Sequence, residues 1–189
     1  MKKQNYIADA WLVILLSLLF GGGLAGVQAS LKPRIDANKL GDTLSQIPAL
    51  VPGSTRGEKA DAGGAVVYKA LDAVGKTAGW VVPASGQGFA DRIELLIGID
   101  ATGGLITGIY VLDQKETPGL GDNITAKAWR DQYAGKATDK PIVVRKTKPE
   151  APNEIQAITG ATISSDSVTA IANAAVAKFR KDLAGGGIH

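Results

Sequence analysis

The sequence contains no cysteine and a single histidine, His189. Without thiols the chain can form no disulfide, ligate no iron–sulfur cluster and perform no thiol catalysis. One histidine cannot build a zinc site or a Ser-His-Asp triad. These absences exclude most hydrolase chemistry. We therefore predict no metal site and no catalytic residue, and no turnover of a small substrate by this chain alone.

The basic residues are scattered rather than concentrated, although the formal net charge is +3. Their densest cluster is Arg145, Lys146 and Lys148. A protein that binds nucleic acid concentrates its lysines and arginines on one face or in one run. The pattern therefore indicates a mildly basic surface, and no nucleic-acid partner is predicted.

The N-terminal segment combines an early positive charge with a long apolar run. Lys2 and Lys3 precede residues 10–27, which are apolar, glycine or serine throughout. A membrane-spanning helix needs roughly 20 such residues, and positive charge keeps its own side in the cytoplasm. We predict a single-pass anchor in residues 1–30, in the bacterial cytoplasmic (inner) membrane, with the C-terminal domain on the periplasmic side. The alternative is a cleaved signal peptide with its site at residues 27–29, which also exports the rest.

The remaining sequence predicts an α+β fold, an antiparallel sheet with flanking helices. Residues 31–63 are interpreted as a linker or helical segment that ends its helix at Pro48, and residues 64–189 as the main domain. Hydrophobic periodicity and turn residues define the elements of that domain. Strands are predicted at 66–70, 78–83, 93–99, 105–112, 142–145 and 155–158, and helices at 123–133 and 166–183.

The chemically informative segment is residues 157–165, with the sequence AITGATISS. It predicts a strand, a glycine turn and the N-terminus of a helix lined with hydroxyls. The free N–H groups and the dipole of such a helix end attract an anion such as phosphate. Judged by residue type alone, Ser164 or Ser165 is more simply a helix cap. Both interpretations stay open at this point.

Two glycine-containing segments lie upstream. Residues 116–121, ETPGLG, contain a Pro-Gly turn, and the glycines let main chain approach a flat ligand closely. Residues 84–89, ASGQGF, precede the strongest predicted strand. Either segment alone is ordinary turn material.

Together these segments resemble the flavin-bearing subunits RnfG and NqrC of bacterial ion-pumping redox complexes, RnfG most of all. Residues 159–165, TGATISS, are similar to their flavinylation motif. The resemblance implies that Thr162 is esterified to the phosphate of FMN by a dedicated flavin transferase, which takes FMN from FAD. Many members have an acidic residue shortly before the motif, where this chain has Gln156.

The resemblance also extends to the two upstream segments. Residues 116–121 look like the family segment that contacts the isoalloxazine ring, and residues 84–89 like a glycine-rich stretch near the cofactor. Besides Thr162, the cofactor-binding residues implied are Glu116, Thr117, Gly119, Leu120, Gly121, Thr159, Gly160, Ala161, Ile163, Ser164, Ser85 and Gly86.

The function implied by the resemblance is electron transfer by covalently bound FMN. The chain would be the redox subunit of a multi-subunit translocase, an Rnf-like complex that couples ferredoxin and NAD chemistry to ion transport. Its partners would be the other membrane subunits and the flavin transferase. The alternatives are an extracytoplasmic binding or scaffold module without flavin, the flavoprotein subunit of another extracytoplasmic reductase, and an oxidoreductase that binds FMN non-covalently.

Overall fold

The computed structural model describes residues 10–188, which fall into two units divided between Gly41 and Asp42. The predictions that rest on Lys2, Lys3 and His189 lie outside the described residues. The second unit begins well before residue 64, the predicted start of the main domain, because the end of a helix and a first strand pack into it.

One helix, α1 (Trp11–Leu50), contains the apolar N-terminal run. Its most apolar 18-residue window has a mean hydropathy of 2.0 and no buried residue, so the helix is long and apolar enough to cross a bilayer. The predicted stop at Pro48 is wrong, because the helix continues to Leu50. Proline has a helical φ, and its lost N–H bond and the crowding of its ring against the carbonyl four residues earlier affect a single turn. The chain still closes the last turn, where the Val51 N–H donates to the Ile47 carbonyl at 2.9 Å.

The second unit is built on a five-stranded antiparallel sheet in which each strand pairs with the next along the chain. Short helical turns and a parallel two-stranded ladder follow, and a long helix ends the domain. The elements are β1 (Arg56–Ala62), β2 (Ala65–Leu71), β3 (Thr77–Gln87), β4 (Arg92–Asp100), β5 (Ile106–Asp113), a 3-10 turn (Gly121–Thr125), α2 (Lys127–Arg130), a second 3-10 turn (Asp131–Tyr133), β6 (Val143–Arg145), β7 (Glu154–Gln156) and α3 (Thr162–Ala184). The predicted α+β class with an antiparallel sheet is confirmed.

Both faces of the sheet are covered, which explains the nearly continuous apolar run of β4. Ile93, Leu95 and Ile97 lie in one row of β4, and all three are fully buried in the cluster that packs against α3. Leu96 points the other way and packs with Ile47 and Leu50 at the end of α1. A strand buried on both faces shows no polar alternation.

Three elements differ from the sequence-based prediction. Strand β1 lies in the predicted linker; its sequence, RGEKADA, suits the charged edge of a sheet but has no apolar signal. Strand β3 runs through Gln87, so most of the glycine-rich stretch is paired with β4 and is not a loop. The predicted helix at 123–133 is divided into three short helical segments.

A buried carboxylate holds the ladder that leads into the TGAT segment, residues 159–162. Glu154 accepts hydrogen bonds from the Arg145 side chain at 2.8 Å and from the N–H groups of Glu150 and Ala151. The hydrogen bond from Arg145 is the largest cause that lowers the pKa of Glu154, to about 2. These bonds close the loop between β6 and β7 and fix the strand that precedes the motif.

We expect Glu154→Gln to be less stable than the wild type at pH 7, because the amide loses the charge-assisted bonds. A carboxyl group whose pKa is lowered on folding stabilises the protein above its ordinary pKa of 4.5, and this contribution disappears as the pH falls toward 2. The difference in unfolding temperature between the wild type and Glu154→Gln should therefore be constant near neutral pH. It should shrink as the pH falls from 4.5 to 2.

The measurement is thermal unfolding of the full chain in detergent across this pH range. Glu58→Gln is the matched control, because Glu58 is exposed and lies 3.8 Å from an equally exposed Arg56. A gap that stays the same across the whole range would contradict the assignment.

Candidate functional site

The long helix α3 begins without a side-chain cap. Its N-cap position is Ala161, and no side chain bonds the first turn. The predicted cap at Ser164 or Ser165 is wrong, because both serines lie inside the helix and use their hydroxyls elsewhere. Ser165 donates to the Ala161 carbonyl and accepts from the Ile158 N–H, both at 3.0 Å. The Ser164 hydroxyl donates to the carboxylate of Glu116.

The first-turn amides of α3 are consequently available to a ligand. Within residues 10–188, the N–H groups of Thr162, Ile163 and Ser164 have no hydrogen-bond acceptor. An uncapped helix end with free N–H groups and the positive end of the helix dipole is a good anion site.

A cavity of about 460 Å³ opens beside this helix end. Its walls come from the turn between β3 and β4, from the ETPGLG segment and from the TGAT segment. The lining residues are Phe89, Thr117, Leu120, Gly121, Gly160, Ala161, Thr162, Ile163 and Ser164. Three of them are large apolar side chains that are nearly half exposed or more: Phe89, Leu120 and Ile163. Exposed apolar side chains that converge on one cavity indicate a site for a largely apolar ligand.

The hydroxyls of the TGAT segment differ in their availability. Thr162 is half-buried and lines the cavity, and its hydroxyl makes no hydrogen bond to the part of the chain that the structure describes. Thr159 is exposed and lies outside the cavity lining. Ser164 lines the cavity, but its hydroxyl is engaged by Glu116. Within the TGAT segment and the first turn of α3, Thr162 is thus the residue whose hydroxyl lines the cavity without a hydrogen bond to the described residues, and Thr117 of the facing segment offers a second unbonded hydroxyl.

The glycines of both segments have a clear geometric role. Gly119 and Gly160 have φ values of +76° and +82°, in the left-handed region that favours glycine. A Cβ at Gly160 would lie 3.1 Å from the Leu120 side chain. These turns bring two segments about forty residues apart into contact around one cavity.

The structure does not bring all the predicted residues into this cavity. Glu116 lies behind the wall, with its carboxylate bonded to protein groups. Ser85 and Gly86 line a different groove, of about 560 Å³, between β3 and the flank of α3. Their proposed role near the cofactor follows from the resemblance and finds no support in the geometry.

Sequence analysis does not single out Phe89, which forms one wall of the cavity. The signal is present, because a large apolar residue directly follows Gly88 in a turn between two strands. The local sequence does not show that Phe89 lies in the turn, because the register of β3 against β4 determines the position of the turn.

Gly88 packs against this site too closely for any side chain. A Cβ there would lie 2.4 Å from the Glu116 carboxylate and 2.6 Å from the Asp91 carbonyl. We expect Gly88→Ala to lower the free energy of unfolding by about 1–3 kcal/mol, as overpacking of a tight site does. Gly108→Ala is the control, because its Cβ would meet only Leu50 at an ordinary 3.6 Å. Equal denaturation midpoints for the two variants would show that the turn is looser than described.

Comparisons with known proteins agree with this site. Residues 88–177 match the family described as the FMN-binding domain. The G subunit of the Na(+)-translocating ferredoxin:NAD(+) oxidoreductase complex of Acetobacterium woodii is 43% identical over 95 residues, 50% of this chain and 45% of that protein. The G subunit of the ion-translocating oxidoreductase complex of Methanosarcina acetivorans is 36% identical over 124 residues, 65% of this chain and 63% of that protein.

A solved structure shows the same fold. The crystal structure of Shewanella oneidensis NqrC has a TM-score of 0.55 and 27% sequence identity, over 64% of this chain and 61% of that one. The chain spans about half the length of the first two curated relatives it matches, both of them G subunits of ferredoxin:NAD(+) oxidoreductase complexes. The matched region contains the cavity and each segment that lines it. Residues 88–177 are therefore similar to an FMN-binding domain, and the chain is similar in sequence and fold to subunits of the RnfG and NqrC type.

Proposed function

We propose that this protein carries FMN as a phosphate ester on Thr162. The observation that carries the proposal is the free Thr162 hydroxyl, placed at an uncapped helix N-terminus and in the wall of an apolar cavity. Thr162 thus lies next to both a site for phosphate, the helix end, and a site for a flat ring, the cavity.

The phosphate fits the helix end on electrostatic grounds. A phosphodiester on Thr162 would lie next to the first turn of α3, whose three N–H groups lack acceptors within residues 10–188. Such groups are normally satisfied by a capping side chain, and here Ala161 supplies none. A negative group at this position would also be stabilised by the dipole of a 23-residue helix.

The isoalloxazine ring fits the cavity in size and polarity. A volume of about 460 Å³ lies within the roughly 300–1,000 Å³ range of small-molecule sites. Phe89, Leu120 and Ile163 offer apolar surface to the ring, and Thr117 offers a polar group at the rim. Gly121 lets the main chain of this wall lie directly against Ser164 and Glu116, since a Cβ there would collide with both.

The attachment reaction is a transfer between oxygen atoms at phosphorus. The Thr162 Oγ1 would attack the FMN phosphorus of FAD, forming a new P–O bond while the bond to the AMP phosphate breaks. AMP leaves, and the hydroxyl proton passes to a base of the flavin transferase. No electrons are exchanged, and this chain contributes only the acceptor hydroxyl and the groups that hold it.

In the cell, the protein would act as an electron-transfer subunit anchored in a membrane complex. FMN supplies the redox chemistry, and the protein supplies attachment, ring position and local electrostatics. Relatives are subunits of ion-translocating oxidoreductase complexes, which supports assembly with further membrane subunits. Helix α1 supports a membrane anchor, since it is long and apolar enough to cross a bilayer. The domain would lie on the periplasmic side of the cytoplasmic membrane.

We expect the intact mass of the denatured protein to rise by one esterified FMN when it is made together with a flavin transferase. Thr162→Ala should show no increase, because the acceptor oxygen is gone. Thr147→Ala is the matched control, since it removes an exposed hydroxyl outside the motif and outside the cavity lining and should leave the modification complete.

Three outcomes would contradict the proposal. Yellow protein that loses its colour on denaturation would indicate non-covalent FMN. Loss of the mass increase in Thr159→Ala but not in Thr162→Ala would move the ester to the other threonine. An unmodified wild type, with a transferase shown to be active on another substrate, would favour a scaffold module without flavin.

A further inference from the structure

A buried carboxylate lies directly behind the cavity wall. Glu116 is 4% exposed, and both of its carboxylate oxygens are used. One accepts the Ala90 N–H at 3.1 Å, next to Phe89 in the turn between β3 and β4. The other accepts the hydroxyl of Ser164, which lines the cavity. The carboxylate therefore links two of the three cavity walls, the turn between β3 and β4 and the first turn of α3. Glu116 is itself the first residue of the ETPGLG segment, which forms the third wall.

Two glycines leave the carboxylate the space it occupies. A Cβ at Gly88 would lie 2.4 Å from one carboxylate oxygen, and a Cβ at Gly121 would lie 3.0 Å from the other. Main chain thus encloses the group on two sides, and little room remains for water. The enclosure fixes the position of the charge as well as that of the walls.

No cation neutralises this carboxylate within residues 10–188. The adjacent Lys115 forms its ion pair with Asp91 instead, at 3.2 Å, and both of those side chains are largely exposed. Among the described residues, the Glu116 carboxylate bonds only the Ala90 N–H and the Ser164 hydroxyl, so it is stabilised by dipoles. A buried charge that is balanced by dipoles alone still acts on its surroundings, because solvent and salt screen it weakly.

We propose that Glu116 sets the midpoint potential of the flavin, holding it more negative than a neutral side chain would. This inference rests on the proposed attachment of FMN at Thr162. Reduction places additional negative charge on the ring in the cavity. A fixed negative charge behind the wall opposes that change, by an amount that grows as the separation and the local dielectric constant fall. Glu116 acts as a positioning residue through Ser164 and Ala90, and as a source of field through its charge.

Glu116→Gln separates charge from position. Its amide can still accept the Ala90 N–H with its oxygen and donate to the Ser164 hydroxyl with its nitrogen, so the walls stay tied. The flavinylated full chain in detergent is titrated spectroelectrochemically at mildly alkaline pH. We expect a shift of the midpoint potential to a more positive value, with the flavin still attached by intact mass.

Two further variants make the test specific. Ser164→Ala keeps the carboxylate and removes one dipole that offsets it, so the potential should move in the opposite direction, to a more negative value. This variant also preserves the test if Glu116→Gln fails to fold. Glu58→Gln removes an exposed carboxylate on β1 and should leave the potential unchanged.

The result that overturns the proposal is a wild-type potential in flavinylated Glu116→Gln, or a positive shift in Ser164→Ala. A purely structural role would shift the midpoint potentials of Glu116→Gln and Ser164→Ala in the same direction. Shifts of equal size and sign in these two variants would therefore also overturn the proposal. Failure of the proposed function has a different signature, because the intact mass of the wild type would then show no ester before any potential is compared.

Discussion

The hydrogen bond between the Ser164 hydroxyl and the Glu116 carboxylate is the interaction on which the site depends. It joins the first turn of α3 to a segment 48 residues earlier in the chain. The same carboxylate extends the connection to Ala90, so three separate parts of the fold meet at one buried group. The helix end beside this contact stays open to an anion, because its N-cap position is Ala161, which has no capping side chain. The contact thus fixes the cavity walls next to the free amides of the first turn.

The rest of the domain provides the rigid support for that contact. The sheet holds β4 buried on both faces, and α3 packs along one of them with Val168, Ala172 and Phe179. The Tyr133 hydroxyl meets Thr169 of α3 at 2.7 Å, inside the core, and Thr169 in turn donates to the Ser165 carbonyl. The first turn of α3 is therefore held from below by packing and from the side by Glu116, while its N-terminal face stays open.

Much of this architecture can be predicted from the sequence, for identifiable reasons. Strands β2, β4 and β5 and helix α3 carry strong periodic signals, and each prediction agrees with the structure within a few residues. Strand β1 escapes prediction, because its seven residues are mostly charged or small and it is defined by pairing with β2. The end of β3 escapes it too, since Ser85 and Gly86 form a strand only through their partners on β4.

The candidate site shows the same division between local and distant information. The motifs identify Thr162 and the segment that faces it, because their chemistry is local. They do not reveal the role of Glu116, which a motif alone places against the ring and the structure places behind the wall. Phe89 cannot be predicted as a site residue for the same reason, since its position depends on where the β-turn between β3 and β4 lies. The positions of Glu116 and Phe89 both depend on contacts between segments that are distant in the sequence, and residue patterns carry little information about such contacts.

In the proposed holoprotein, the open end of α3 receives the phosphate of FMN attached to Thr162. Amide hydrogen exchange tests it most directly, by comparing the full chain before and after flavinylation. We expect the N–H groups of Thr162, Ile163 and Ser164 to exchange freely in the unmodified protein and to become protected in the flavinylated one. Amides in the last turns of α3 should exchange equally in both. Unchanged exchange at the first turn, in protein shown by mass to carry the ester, would contradict the account.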